Sequence, residues 1–241
     1  MIKLGNNSIG KIYLGSNAIG KAYLGSNLVY QSGSPTPPGP SPVFYDYLKF
    51  DGTAFIETDI QIPENGSIRA GLGSESQKIK QRIMCAYTNG NYIALNIGGN
   101  TSSTKRYFVA YYDSSSSLSA SVNNNWTTDR YTLYITPKRY GIGTGATTFT
   151  KDSNHPTGGL NIGGWSFASG QAYTGAMSGI RIYGSDAQNA TDATDLLNNY
   201  TPVLFLRPCT YDGEPGYWCV ETSTFYGNTA GAGTLVATDT L

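Results

Sequence analysis

From Val43 onward, hydrophobic and polar residues alternate in short runs that are separated by Gly, Asn, Ser or Asp. The first two runs, residues 45–50 and 54–60, flank the turn-forming pair Asp51-Gly52. Alternation with a period of two is typical of β-strands that have one buried face. The further runs predicted to be strands are residues 79–87, 92–97, 106–112, 130–135, 159–164, 179–183 and 203–207.

The pattern favours a helix in a single stretch, residues 187–199, where Asp192, Asp195 and the pair Leu196-Leu197 suggest one short surface helix. Many short strands with turn signals between them are typical of a sandwich or jelly roll. A β-sandwich of ~200 residues commonly folds as one domain. The sequence therefore predicts an all-β fold, with an antiparallel sandwich over residues 44–241.

The first thirty residues contain the same pattern three times. Each copy has an apolar segment, a Gly-Asn or Gly-Ser-Asn turn and a second short apolar segment: residues 2–11, 12–21 and 22–30. A fixed period indicates repeated small units that cannot bury their apolar faces alone. Glycine and asparagine tolerate the positive φ of tight turns, so each copy is predicted to be two short extended pieces around a turn.

This segment is shorter than ~40 residues, the length below which a chain usually needs oligomerisation or cross-links to fold. We therefore expect residues 1–30 to fold on a larger surface or on copies of themselves. Short β repeats can complete each other's core around a threefold axis, which favours a homotrimer, with a dimer as the next choice. The residues expected to provide anchoring or oligomerisation contacts are Ile2, Leu4, Ile9, Ile12, Tyr13, Leu14, Ile19, Tyr23 and Leu24.

Residues 31–43 connect the repeats to the sandwich and contain five of the eleven prolines of the chain. Proline-rich sequence favours an extended polyproline II spacer of ~3.1 Å per residue. A disordered tether is the alternative, and both readings make this segment a domain boundary.

Composition excludes several classes of function. Sixteen basic and sixteen acidic side chains give no net charge, whereas a nucleic-acid-binding protein needs a basic face. No apolar run approaches the ~18 residues of a membrane span. The N-terminus lacks a charged region followed by an apolar core, so we expect no signal peptide. Nucleic acid and membranes are therefore not expected partners.

Cysteine usage indicates a protein made in a reducing compartment. Cys85, Cys209 and Cys219 are an odd number and contain no Cys-x-x-Cys pair. Cys209 and Cys219 could pair across a hairpin, but buried free thiols fit a cytosolic product better.

Few residues of the sequence are candidates for catalysis. The single histidine, His155, precedes a proline and is predicted to lie in a loop. Glu57 and Asp59 would share one face of a strand, but a glycoside hydrolase needs a companion acid across the glycosidic bond, and Gln61 occupies the next position on that face. We interpret the pair as the polar face of an edge strand, and we expect no enzymatic activity.

Two acidic pairs of the sequence are candidate calcium ligands. Asp46 with Asp51, and Asp212 with Glu214, place two carboxylates close in sequence. Calcium takes six to eight oxygen ligands, and neither pair brings that number together. We expect neither a metal nor another cofactor.

Tyrosine is much more frequent than phenylalanine, with nineteen residues against eight. Its flat apolar ring and hydroxyl suit interfaces and sugar surfaces, although side chains such as Tyr45, Tyr47, Tyr107 and Tyr183 are expected to fill the core. The candidate glycan contacts are Tyr111, Tyr112, Trp126 and Trp165.

Two segments resemble known families. Residues 47–58, with the strand at 179–183 and the tail at 206–209, 216–219 and 224–228, resemble concanavalin A-like, laminin-G-like domains of bacteriophage and gut-bacterial proteins. The Leu-Gly-Ser-Asn repeats resemble short N-terminal modules of structural proteins from tailed, crAss-like phages. The calcium-binding positions of the sandwich family have no clear counterparts here, so none is assigned.

This resemblance implies a virion structural protein, a head fibre or capsid decoration protein on the outer surface of the particle, made in the host cytoplasm. Residues 1–30 would bind the major capsid or another virion protein, and the lectin-like jelly roll would bind host or mucus glycans. The alternatives are a tail fibre or other tail-associated adhesin, a jelly-roll glycan-degrading enzyme, a bacterial lectin and a structural cement without a ligand.

Overall fold

The structure, a computed structural model, describes residues 40–73, 81–88, 91–96, 131–148, 155–164 and 172–240 with their side chains. Strand backbone is described in addition at residues 97–99, 106–112, 118–120 and 130, and in parts of residues 3–31. By its internal contacts the chain divides into two compact units, Met1–Ser41 and Pro42–Leu241. No helix in the described ranges is long and apolar enough to cross a membrane.

The first unit contains three antiparallel hairpins, one for each repeat. The strands are β1 (Lys3–Leu4), β2 (Asn7–Ser8), β3 (Tyr13–Leu14), β4 (Asn17–Ala18), β5 (Lys21–Leu24) and β6 (Asn27–Gln31). Each hairpin is a separate two-stranded sheet. The predicted pair of extended pieces per repeat is confirmed. Asn17 and Asn27 were predicted to lie in the turns. They instead begin the second strands and pair with Leu14 and Leu24. Only two residues then connect the paired strands, so the pairing begins one residue earlier than a three-residue turn would allow.

The second unit consists of strands β7–β23, one short 3-10 helix and one α-helix. In chain order the strands are β7 (Val43–Phe44), β8 (Tyr47–Asp51), β9 (Ile56–Glu57), β10 (Ser67–Gly73), β11 (Gln81–Thr88), β12 (Asn91–Gly99), β13 (Arg106–Tyr112), β14 (Leu118–Ala120), β15 (Arg130–Ile135), β16 (Arg139–Ile142), β17 (Thr147–Thr148), β18 (Leu160–Ile162), β19 (Thr174–Tyr183), β20 (Pro202–Tyr211), β21 (Glu214–Cys219), β22 (Thr224–Gly227) and β23 (Leu235–Thr238).

These strands form two antiparallel sheets. The larger sheet has the order β17-β16-β15-β10-β19-β20-β21-β22, with β8 pairing β19 and β23, and β7 pairing β20. The smaller sheet has the order β14-β13-β12-β11-β18-β9. Inner residues of both sheets, such as Ile68 and Leu206 of the larger and Ile83 and Leu160 of the smaller, are buried in one hydrophobic core. The predicted all-β antiparallel sandwich is therefore confirmed.

The helical segment differs from the prediction of one helix over residues 187–199. A 3-10 helix spans Ser185–Asn189, and helix α1 begins only at Ala193 and ends at Asn199. The break occurs because the Asp192 carboxylate accepts the backbone N–H groups of Thr194 and Asp195, which makes Asp192 the N-cap of a new helix.

The helical segment covers part of the outer face of the larger sheet. Tyr134 and Tyr183 point away from the main core and pack with Ala187, Ala193 and Leu196 into a second, smaller core. Strand alternation explains this arrangement, since Leu133 and Ile182 beside these tyrosines point inward. The helical segment does not cover the outer face of β20–β22.

All three cysteines are free and buried. Cys209 pairs in register with Gly216, while Cys219 pairs with Leu206 and belongs to the main core, so the two thiols point to opposite faces of the sheet. The expectation of buried free thiols is confirmed. Burial raises the pKa of the Cys209 thiol to about 11, which keeps it protonated at neutral pH.

Candidate functional site: an aromatic face on the larger sheet

The outer surface of β20–β22, with β7 beside it, carries aromatic and guanidinium side chains where a solvated strand face would be polar. We call this surface the aromatic face and define it by Phe44, Arg181, Phe205, Arg207, Tyr211, Trp218 and Phe225. Their inner neighbours Leu206, Tyr217 and Cys219 belong to the main core, so alternation places the set on the opposite side. Phe44 is 36% exposed, and the other six are half-buried.

Register aligns these side chains in rows across the sheet. Arg181 of β19 lies directly opposite Phe205 of β20. Two residues further along β20, Arg207 lies opposite Trp218, which in turn lies opposite Phe225 of β22. Directly opposite residues on one face of an antiparallel pair have Cβ atoms about 5 Å apart, so each row forms a continuous surface.

The ring of Tyr211 contacts two further aromatic rings, and one of them, Phe225, lies over Gly216. The ring centroid of Tyr211 lies 5.3 Å from that of Trp218 and 5.3 Å from that of Phe225. A Cβ at Gly216 would lie 2.7 Å from Cε2 of Phe225. Since such an approach is impossible for a real side chain, the absence of a side chain at Gly216 lets the Phe225 ring take this position beside Tyr211.

Phe205 lies in the same way over Gly179, where a Cβ would come within 2.5 Å of Cε2 of Phe205. The exposed apolar side chains Val203 and Val220 lie beside it, at 45% and 43% exposure. The ring of Phe205 thereby lies against the sheet backbone and stays partly exposed. Large exposed apolar surfaces on one face of a protein mark contact sites.

Two guanidinium groups are stacked on this surface. Arg181 lies over the ring of Phe205 and Arg207 over the ring of Phe44, each 4.1 Å from the ring centroid. Both contacts are within the ~6 Å range of cation–π attraction. Neighbouring Arg69 differs, because it donates from Nε to the carbonyl of Ala193 at 3.0 Å, and burial lowers its pKa. Contacts with aromatic rings position the guanidinium groups of Arg181 and Arg207, whereas a hydrogen bond to a backbone carbonyl positions that of Arg69.

The sequence-predicted contact residues fall largely outside the described side chains. Tyr111 and Tyr112 lie on β13, opposite Ala94 and Ile93 of β12, with only their backbone described. Trp126 and Trp165 lie outside the described residues. The prediction of these four as glycan contacts stays a prediction.

Among the predicted anchoring residues, five lie on described strand backbone: Leu4 on β1, Tyr13 and Leu14 on β3, and Tyr23 and Leu24 on β5. The other four, Ile2, Ile9, Ile12 and Ile19, lie outside the described residues. Their role in attachment also stays a prediction.

Sequence reasoning missed the aromatic face, although a signal was present. The run Leu204-Phe205-Leu206-Arg207 is apolar at three successive positions, so both faces of β20 carry hydrophobic residues. From the sequence, Trp218 and Phe225 were identified only within the C-terminal segments that resemble the concanavalin A-like family. Recognising the face required knowing that β20, β21 and β22 are neighbours.

Two of the acidic candidates, Asp51 and Asp59, accept structural hydrogen bonds through their carboxylates. The Asp51 carboxylate accepts the N–H and Oγ1 of Thr53, the N–H of Ala54 and the N–H of Thr234, at 2.6 to 3.0 Å. Asp59 accepts the Tyr226 hydroxyl at 2.7 Å, and Glu57 is exposed on edge strand β9. Among the described residues, no group of three His, Cys, Asp or Glu side chains could hold a metal.

His155 lies in the predicted loop, and its Nε2 lies 2.7 Å from the carbonyl oxygen of Ile62. This contact links the loop to the segment before β10. The contact is with a backbone carbonyl, as expected for a histidine that fixes a loop.

Comparison with known proteins supports the fold. No protein-family profile matches the chain, and no curated protein matches it by sequence. The chain is similar to a native heptameric SAP-like pentraxin from Limulus polyphemus, with a TM-score of 0.50 and 11% identity over 74% of this chain and 97% of that chain. At this identity the likeness concerns the fold alone.

Two further similar structures are bacteriophage tailspikes. The enzymatically active domain of tailspike protein 2 of bacteriophage CBA120 matches with a TM-score of 0.47 and 14% identity over 68% of this chain. A structure of full-length tailspike protein 2 from an Escherichia coli O157:H7 bacteriophage matches with a TM-score of 0.46 and 13% identity over 77% of this chain. The matches cover only 30% and 29% of the tailspike chains, and scores below 0.5 carry no conclusion.

Proposed function

We propose that this protein is a virion structural protein, a head fibre or capsid decoration protein, whose sandwich domain binds carbohydrate through the aromatic face. Residues 1–30 attach the chain to the major capsid or another virion protein, residues 31–43 act as a spacer, and residues 44–241 face solvent at the outer surface of the particle. The observation that carries the binding role is the ring cluster in which Tyr211 contacts both Trp218 and Phe225.

Flat aromatic rings provide a large apolar contact area at a low cost in conformational entropy. Sugar rings expose C–H groups on their flat sides, and an aromatic ring is the side chain that matches such a surface. Many copies on one particle would convert modest single-site affinity into strong attachment by avidity.

The repeats support the attachment role through their size. Strands of two residues make hairpins β1–β2 and β3–β4, and β5–β6 has four and five residues. Isolated two-stranded hairpins are marginally stable in water at best. A partner surface, or two further copies in a homotrimer, would supply the missing core, and a dimer is the next choice.

We propose no enzymatic role. Glu57 and Asp59 are the candidate carboxylates, and Asp59 accepts a hydrogen bond from Tyr226. A glycosidase needs one carboxylic acid and one carboxylate on opposite sides of a bound sugar. A polysaccharide panel tests this directly: turnover that disappears in Glu57→Gln would establish an enzyme instead.

Attachment is tested with two proteins, the full chain and a truncate that begins at Pro42. The truncate should be soluble and folded by circular dichroism, yet absent from purified particles by mass spectrometry. A full-length Trp218→Ala variant is the matched control, because it should enter particles and lose glycan binding. Normal incorporation of the truncate would refute the anchoring role, and an electron-microscopy map of the particle would distinguish a head position from a tail position.

A further inference from the structure

The two guanidinium groups of the aromatic face have no counter-charge within the described part of the chain. Neither Arg181 nor Arg207 has a hydrogen-bond or ion-pair partner there, and their contacts are the rings of Phe205 and Phe44. A ring accepts none of the five N–H donors of a guanidinium in a conventional hydrogen bond. Both side chains are therefore fixed in place while their donors stay available.

Other described arginines use their donors internally. Arg69 donates to the carbonyl of Ala193, and Arg139 donates to the carbonyls of Asn189 and Ala190. Glu221, beside Phe205, accepts the Phe205 backbone N–H at 2.7 Å through Oε2. The aromatic face thus combines two guanidinium groups without an ionic partner among the described residues with Glu221, whose carboxylate accepts a backbone N–H. A second carboxylate, the exposed Glu214, lies opposite Tyr211, four residues along β20 from Arg207.

The two cations are neighbours on the sheet. Arg181 lies opposite Phe205, and Arg207 follows two residues later on the same face of β20. Diagonal positions of this kind are ~7–8 Å apart between neighbouring strands. Trp218 lies directly opposite Arg207, so an aromatic platform adjoins the cations.

We propose that the aromatic face binds an acidic carbohydrate, with sugar rings on Tyr211, Trp218 and Phe225 and the acidic groups on Arg181 and Arg207. The proposal rests on the proposed carbohydrate-binding function and specifies its ligand class. Guanidinium groups bind carboxylate and sulfate in a bidentate, charge-assisted manner, which gives selectivity for an acidic over a neutral sugar. A uronic acid and a sulfated sugar share this chemistry.

A second copy of the chain is a weaker candidate for this surface. Twofold pairing about an axis near Arg181 and Arg207 would bring these groups of both copies together. Opposed like charges disfavour association, whereas an anionic ligand compensates them. Charge complementarity therefore favours the acidic glycan.

The test compares oligosaccharides of matched length by isothermal titration calorimetry with the full-length protein. The probes are oligogalacturonate, a sulfated galactan oligomer and the neutral galacto-oligomer. We expect both acidic probes to bind at least tenfold more tightly than the neutral one. Their affinity should fall when NaCl is raised from 50 to 500 mM, because the acidic contribution is electrostatic.

Variants assign the effect to the two arginines. Arg181→Gln combined with Arg207→Gln should weaken acidic binding at least tenfold and so remove the preference for the acidic probes. The double lysine variant, which keeps the charges but loses the bidentate and ring-stacking geometry, should bind the acidic probes with an intermediate affinity. Lys138→Gln removes an exposed cation on the β15–β16 connection and serves as the matched control. Circular dichroism verifies that each variant is folded.

Three outcomes would overturn the inference, and they differ in what they say about the proposed function. Equal affinity for acidic and neutral probes, lost in Trp218→Ala, would reject acid selectivity and keep carbohydrate binding. No binding of any probe would reject both. Concentration-dependent self-association that disappears in the double glutamine variant would identify a second copy as the occupant.

Discussion

The ring of Phe225 occupies the space in which a side chain at Gly216 would have to lie. A Cβ on Gly216 would be 2.7 Å from Cε2 of Phe225 and 2.3 Å from the carbonyl oxygen of Tyr226. The second contact is with backbone, which cannot rotate away. Gly216 is therefore a requirement of the β21–β22 pairing as well as of the aromatic face.

Gly216→Ala should lower the free energy of unfolding by about 1–3 kcal/mol, the usual range for added volume in a packed site. It should also change Trp218 fluorescence, because the ring cluster must open. Gly184→Ala is the control, since the Cβ there meets the movable Asp186 side chain at 3.1 Å and the backbone is extended. Equal stability losses in the two variants would contradict the close packing over Gly216.

Asp51 connects the turn after β8 to the segment before β23. Its burial acts to raise the carboxyl pKa, but hydrogen bonds from Ala54, Thr53 and Thr234 outweigh this and lower the pKa from 3.8 to about 2. A depressed folded pKa means that the ionised form stabilises the fold above pH ~4, and that this stability is lost as the pH falls towards 2.

Urea unfolding at pH 5 and pH 2.5 measures this contribution. The wild-type protein should lose more stability over this interval than Asp51→Asn, because the variant lacks the titrating group. Asp186→Asn, an exposed carboxylate at the 3-10 helix, is the control and should follow the wild type. The same pH dependence in Asp51→Asn as in the wild type would remove Asp51 from the acid transition.

Tyr226 and Asp59 link the two sheets at one side of the sandwich. The hydroxyl of Tyr226, on β22 of the larger sheet, donates to Oδ1 of Asp59, which follows β9 of the smaller sheet, at 2.7 Å. Burial, together with this hydrogen bond and the Asp59 charge, raises the pKa of the Tyr226 phenol. Tyr226→Phe should cost about 1–2 kcal/mol of stability, the contribution of a hydrogen bond to a charged group.

A double-mutant cycle with Asp59→Ala isolates the pair. The sum of the two single losses should exceed the loss of the double variant by a coupling energy of roughly 1 kcal/mol. In Asp59→Ala alone, ultraviolet titration should show one phenol ionising at lower pH than in the wild type. Additive losses without a change in the titration would show that the two groups do not interact in solution.

Tyr183 and Tyr217 are both fully buried but differ at the hydroxyl. The Tyr217 hydroxyl donates to the carbonyls of Ser178 and Met177, at 3.1 and 3.3 Å. The Tyr183 hydroxyl is buried with no hydrogen-bond partner among the described residues. An unsatisfied buried hydroxyl costs free energy, whereas a bonded one contributes.

Tyr217→Phe should therefore lower the free energy of unfolding by about 1–2 kcal/mol, while Tyr183→Phe should leave it unchanged or raise it by up to about 1 kcal/mol. The two changes remove the same atom, so each is the control for the other. Thermal unfolding monitored by circular dichroism compares them. A larger loss in Tyr183→Phe would mean that its hydroxyl has an acceptor in solution.

The strand bounds predicted from the pattern agree with the structure for some strands and differ for others. Residues 106–112 and 130–135 were predicted with the bounds that the structure has. The strand predicted over 159–164 ends at Ile162, because Gly163 and Gly164 adopt φ of 77° and 153° and leave the extended conformation. Within the run 54–60 only Ile56–Glu57 pairs in regular register with β18, and Thr58 and Ile60 each make one further backbone hydrogen bond with Leu160.

Other differences arise from partners that lie far away in sequence. Strand β20 was expected to end at Arg207, before a proline, but it continues through Pro208, whose carbonyl accepts the N–H of Tyr45. Strand β10 was not predicted, although it lies between β15 and β19 near the middle of the larger sheet. A Cβ at Gly71 within it would lie 2.3 Å from Oγ and 3.3 Å from Cβ of Ser178 on β19, a close approach visible only after the strands are paired.

The amino-acid pattern by itself determined the all-β class, most strand positions, the repeat hairpins and the buried free thiols, because alternation and turn residues act over a few neighbouring positions. The tertiary structure decided which strands are neighbours, and with that the aromatic face. Phe44, Arg181, Arg207, Trp218 and Phe225 come from five strands, and only their register places them on one surface. Such a surface depends on contacts between residues far apart in the chain, which no local pattern encodes.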